Sequence, residues 1–145
     1  GNLEKSLSGD EAALEAVCLG SLHGGLAFGN AGTALVHALG YPLSVQYGAA
    51  HGVANALMLP EAVRFNLEAS PKFRVLEGLL GKPLPEALGR LVKALGLPTR
   101  LRDIGVPKEA CAGMAAVVLP DRRHLDANPR AAGLSDLERL FEASW

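Results

Sequence analysis

Two histidines, His37 and His51, stand fourteen positions apart in "HALGYPLSVQYGAAHGVANALMLP". The residues between them are small, apolar or uncharged. A buried imidazole needs a partner at each ring nitrogen. Neutral imidazole is also the commonest protein ligand for zinc and a frequent one for iron. Two readings are therefore open: a pair of helix-packing histidines, or two arms of one metal site. Fourteen residues is not a local ligand interval like the i,i+4 pair of a single helix. The chain must turn back on itself to bring the rings together, and Pro42 provides a place to turn. Ligand counting sharpens the question. A catalytic metal takes three or more protein ligands and keeps a position open. Two imidazoles alone do not hold iron or zinc tightly. The nearest acidic residues, Asp10, Glu11, Glu15 and Glu61, read better as helix caps or surface charges.

The remaining candidates are weaker. His23, beside two glycines in a helical pattern, reads as a satisfied helix histidine. His124, in the polar "PDRRHLDANPR", reads as a solvated surface residue in a loop. Cys18 and Cys111 are the only cysteines, and both sit in apolar, helix-like sequence. They read as buried thiols of no special role rather than as a disulfide, which points to a cytoplasmic location. There is no G-x-S-x-G elbow, no phosphate-binding loop and no dinucleotide fingerprint after a strand.

Composition narrows the function classes. The chain has 145 residues, 49% apolar and 20% charged, enough to bury a core as one domain. A net charge of −1 and 5% aromatic residues give no basic, base-stacking surface for nucleic acid. No uninterrupted apolar run approaches the ~18 residues of a membrane span, and no signal peptide opens the sequence. Neither nucleic acid nor membrane is expected as a partner.

The elements that must position these side chains are helical throughout. "SGDE" (residues 8–11) reads as a capping box, followed by a helix to about Phe28. A second helix runs through Leu35 and His37 to Gly40, where Pro42 is expected to stop it. "SVQYGAAHG" reads as a glycine-broken connection, and a third helix starts near His51 and reaches Asn66, with a kink or break at Pro60. Shorter helices follow over "FRVLEGLLG", closed by Gly81, over "LPEALGRLVKALGLP", and from Pro107 to about Leu119. The last, "LSDLERLFEASW", carries a capping box from Ser135 to Glu138. "LSVQY" is the nearest approach to a strand. The expected fold class is all-α, an orthogonal bundle of about seven helices in one domain.

The stretch "AFGNAGTALVHALGYPLSVQYGAAHGVANALMLPEAVRFN" resembles the iron-containing, NAD(P)-dependent alcohol dehydrogenases of group III. Val36-His37-Ala38 matches the family's "VHA", and His51-Gly52-Val53-Ala54-Asn55-Ala56 matches its "HGVANA". The fourteen-residue interval is the family's own. "LGLPTRLRDIGVPKE" and the "NPR" of Asn128–Arg130 continue the likeness over nearly the whole chain.

The resemblance implies that residues 1–145 form the C-terminal helical, metal-binding domain of the dehydroquinate synthase-like/iron alcohol dehydrogenase fold. It implies His37 and His51 as ligands of Fe(2+) or Zn(2+). The family's other two ligands, an Asp and a His, lie upstream of this chain, as does its N-terminal nucleotide-binding domain, which carries NAD(P). The implied substrate is a small alcohol or aldehyde. The isolated chain is then expected to be inactive and, with an apolar face bare, to self-associate. Tyr41 stands where many members carry a middle histidine on the substrate side, and is either a catalytic hydrogen-bond donor or a packing residue. A phenol is a weaker proton shuttle than imidazole at neutral pH. Phe28 matches a substrate-pocket position. The alternatives are a maleylacetate reductase-like fragment and a non-catalytic helical interaction module.

Overall fold

Asp10, not Ser8, starts the first long helix: its carboxylate accepts the Ala13 N–H at 2.9 Å. Ser8 is unavailable because its hydroxyl donates to the Lys5 carbonyl, ending the helix before it. These two helices, α1 (Asn2–Leu7) and α2 (Glu11–Ala31), pack together within a first compact unit, residues 1–33. The structure, a computed structural model, describes residues 1–145 and contains no β-strand. Gly32, at φ +75°, ends α2. By length and composition α2 is apolar enough to cross a membrane, although Gly, Ser, His and Asn interrupt every apolar run in it. One such helix does not by itself indicate a membrane protein. Cys18 is exposed on α2, while Cys111 is buried elsewhere; both are free thiols, so the expected buried pair is not formed.

The second compact unit, residues 34–145, carries seven helices. They are α3 (Leu35–Tyr47), α4 (His51–Asn66), α5 (Pro71–Leu80), α6 (Leu84–Ala94), α7 (Ala110–Val118), α8 (Arg122–Asp126) and α9 (Leu134–Ser144). Two 3₁₀ turns, Leu67–Ala69 and Leu101–Ile104, complete it. The chain is all-helical, with nine α-helices where periodicity predicted about seven. The extra ones, α1 and α8, have 6 and 5 residues, too few to show a helical period.

Pro42 does not stop α3. The helix continues to Tyr47, takes in "LSVQY", and ends at Gly48 with φ +67°. An interior proline costs about 3 kcal/mol through its missing N–H and ring clash. Against this, Leu35, Leu39 and Leu43 lie on one stripe and are each 0% exposed. Burying a leucine contributes about 1.5–3 kcal/mol, so three of them outweigh the proline. In α4 the same balance carries the helix through Pro60 without a break, on the buried face of Ala54, Leu57, Met58 and Ala62.

The core gathers α3 and α4 with Cys111, Met114 and Val118 of α7 and Leu137 and Phe141 of α9. α9 begins at Gly133, whose N–H donates to the Asp136 carboxylate at 3.1 Å, rather than through the expected Ser135–Glu138 box. A buried pair of amides ties the end of α4 to the "NPR" loop. Asn66 and Asn128 exchange two hydrogen bonds of 2.8 Å, and Arg130 donates to the Phe65 carbonyl while lying over the Phe65 ring.

Candidate functional site

α3 packs against α4, and α8 packs against α3. Each of the two longer helices presents two polar or aromatic side chains one turn apart: His37 and Tyr41 on α3, His51 and Asn55 on α4. The αL cap at Gly48 and the two alanines after it reverse the chain between them. The fourteen-residue gap thereby becomes an atomic contact. Nδ1 of His37 and Nε2 of His51 face each other at 3.2 Å. The Asn55 amide nitrogen completes a triangle, 3.0 Å from the His51 nitrogen and 3.4 Å from that of His37.

Tyr41 closes over one side of this pair. Its ring stacks on His51, with centroids 5.8 Å apart and planes at 25°. Its edge-on neighbour is His124, at 5.3 Å and 70°. His124 also stacks on His37, at 6.4 Å with planes 11° apart. The sequence placed His124 on the solvated surface, and this is wrong: the residue is 7% exposed. Its Nδ1 donates to the carboxylate of Asp121, with contacts of 2.7 and 2.8 Å. Asp121 is also the N-cap of α8, so one carboxylate both starts the helix and holds the imidazole. The signal that would have found His124 is the Asp-x-x-His interval, which places acid and imidazole on one helical turn.

Phe28 lies on α2, in the unit of residues 1–33, and is 57% exposed. It belongs to a different unit from the histidine group. His23 is likewise exposed on α2. A cleft of about 430 Å³ opens between α4 and α6, lined by charged residues such as Glu61, Arg64 and Arg90. None of the histidines borders it.

The facing imidazoles suit a cation. Metal–nitrogen bonds of about 2.0–2.1 Å at a tetrahedral angle set two donor nitrogens roughly 3.3 Å apart, close to the 3.2 Å found here. Burial, followed by the fields of His51 and His124, lowers the pKa of His37 below the ordinary 6.5. Its ring is therefore neutral at neutral pH, as a ligand must be. No group of three or more His, Cys, Asp or Glu side chains able to hold a metal ion forms in the chain. The facing donors are thus two imidazoles.

All 145 residues, 1–145, match the Fe-containing alcohol dehydrogenase family, C-terminal. The chain belongs to this family. Among its relatives, lactaldehyde reductase of Escherichia coli (strain K12) is 36% identical over an alignment covering 100% of this chain and 41% of that protein. 1,3-Propanediol dehydrogenase of Klebsiella pneumoniae is 33% identical, over 97% of this chain and 39% of the relative. The solved structure of a 1,3-propanediol oxidoreductase superposes with a TM-score of 0.90 at 33% identity, covering 99% of this chain and 41% of the other. The chain therefore spans about two fifths of the length of the relatives it matches. The family is an alcohol and aldehyde oxidoreductase family, and the chain corresponds to its C-terminal helical part. The maleylacetate reductase and non-catalytic readings are not favoured by these relatives.

Proposed function

We propose that this chain is the metal-binding helical part of an NAD(P)-linked alcohol dehydrogenase that interconverts a small alcohol and its aldehyde. The observation that carries the reading is the pair of facing nitrogens of His37 and His51, 3.2 Å apart, within a chain that matches the family from end to end. His37 and His51 hold two positions of an Fe(2+) or Zn(2+) ion. An upstream domain outside this chain supplies the remaining ligands and the nucleotide site. A metal ion so held would supply Lewis-acid polarisation of an alcohol oxygen, and a nicotinamide would supply the hydride acceptor.

This chain's own residues shape what surrounds that oxygen. Tyr41, stacked on His51 and 41% exposed, offers its hydroxyl as a hydrogen-bond donor beside the imidazoles. His124, anchored by Asp121 and itself buried, lies against both His37 and Tyr41. The resemblance of its position to the family's is what supports Phe28 as a substrate-side residue. We place the protein in the cytoplasm as a soluble enzyme, consistent with its two free thiols. The isolated chain self-associates through the exposed leucines of α2.

Metal analysis tests the reading. The protein carrying this segment joined to its nucleotide-binding domain should hold one iron or zinc ion. His37→Ala and His51→Ala should each release it and lower kcat/KM by roughly 100-fold or more. Undiminished metal content in the double variant would overturn the assignment. The 145-residue chain alone should show no NAD-dependent turnover.

A further inference from the structure

Asn55 fills the third corner of the histidine triangle, and neither metal binding nor the alcohol reaction as described above uses it. Its amide nitrogen contacts both facing imidazole nitrogens, at 3.0 and 3.4 Å. Its Oδ1 is buried and has no hydrogen-bond partner. That oxygen presses against Gly40 of α3, where a Cβ would lie 2.3 Å away. Gly40 is a buried residue inside a helix, a position where glycine costs about 1 kcal/mol relative to alanine. Its hydrogen is what lets the carboxamide sit there.

Counting protons decides what the triangle contains. A neutral imidazole has one N–H and one nitrogen with a single lone pair, whereas a carboxamide nitrogen has two N–H donors and no lone pair to offer. If both imidazoles turn their lone pairs inward, two donors meet two acceptors. If either turns its N–H inward, three donors compete for one acceptor. Turning the amide over would bring its oxygen, and no N–H, to the two imidazole nitrogens that its NH2 group now contacts. The orientation found gives both N–H donors a partner and leaves a single acceptor oxygen unpaired.

We propose that the Asn55 carboxamide is a positioning group that fixes the tautomers of both histidines, donating one N–H to Nδ1 of His37 and the other to Nε2 of His51. The mobile protons then sit on Nε2 of His37 and Nδ1 of His51, the outward nitrogens. The inward lone pairs converge before any cation arrives, so a metal ion finds its two imidazole donors already set. Gly40 is the seat that makes this possible. The purpose of the device rests on the reading of His37 and His51 as ligands; the device itself does not.

The test is long-range nitrogen–proton NMR of the histidine rings in the metal-free 145-residue chain, at about pH 8, above the ordinary imidazole value. His37→Gln and His51→Gln spectra assign the signals. The wild type should show Nδ1 of His37 and Nε2 of His51 unprotonated. Asn55→Asp has the same shape but only accepts, so it should move a proton onto at least one facing nitrogen. Asn55→Ala and Gly40→Ala should each give a mixture of tautomers, and circular dichroism will show which variants fold. A wild type with a proton on either facing nitrogen overturns the proposal. So do wild-type tautomers that persist in the folded Asn55 variants. Because no metal is present, these outcomes are separate from the metal content that tests the proposed function.

Discussion

His37 is one residue through which pH reaches this site. It is half-buried, and burial is the first cause of its lowered pKa, ahead of the fields of His51 and His124. The Asp121 carboxylate that holds His124 is the anion of the group. With a folded-state pKa below the unfolded value of 6.5, the folded chain binds fewer protons than the unfolded one in the window just below 6.5. The stability contributed by neutral His37 is thus fully present above 6.5 and is lost as pH falls through the lowered folded value. The urea midpoint should drop between about pH 7.5 and pH 5.5, and less so in His37→Gln, where nothing titrates at that position. An equal drop in the variant would show that another group governs the loss. The sequence marked His37 and His51 because two uncharged-context histidines at a fixed interval are conspicuous in one dimension. His124 was not legible that way. Its neighbours in "PDRRHLDANPR" are polar, and its burial comes from α8 lying against α3.

At the scale of elements, the junction of α3 and α4 depends on one small residue facing one amide. In the wild type, Gly40→Ala places a methyl 2.3 Å from Oδ1 of Asn55, an overpacking that costs about 1–3 kcal/mol and exceeds the ~1 kcal/mol helix gain or nearly cancels it. In an Asn55→Ala background the two closest contacts, both with the Asn55 side chain, are gone, and the residue-55 backbone nitrogen at 3.6 Å is an ordinary van der Waals neighbour. There it should stabilise, by up to about 1 kcal/mol. Denaturation of the four variants measures this reversal of sign as a coupling between the helices. A second element-level test is Asn66→Ala. It strips the buried Asn128 amide of its two 2.8 Å partners and should cost about 1–3 kcal/mol. A loss below half a kcal/mol would mean that water replaces them. Helix ends written in glycine, such as Gly81 with φ +63° closing α5, were readable from the sequence. The passage of α3 through Pro42 was not, because the local penalty is visible in the sequence and the compensating burial is not.

In the second unit α3, α4, α7, α8 and α9 share one core, so damage far from the histidines reaches them. Phe141 of α9 is 0% exposed and packs in the same cluster as Leu39 of α3 and Leu57 of α4. Phe141→Ala should destabilise the chain by about 3–5 kcal/mol, measured as a fall in Tm. A loss of less than 1 kcal/mol would mean that the core collapses freely around the gap. The chain end is also held: Trp145 donates from Nε1 to the Val106 carbonyl at 2.9 Å, between Arg102 and Lys108.

Two kinds of information therefore met in this protein. The sequence alone determined the helical class, the glycine-marked helix ends and the fourteen-residue histidine interval, because these depend on backbone propensity and on order along the chain. Only the tertiary structure decided that α3 outlasts its proline, that His124 turns inward onto Asp121, and that Asn55 stands between the two imidazoles. Those outcomes are set by burial and by pairing across helices, where the energies are supplied by residues distant in sequence, as His124 is from His37 and Phe141 from Leu39.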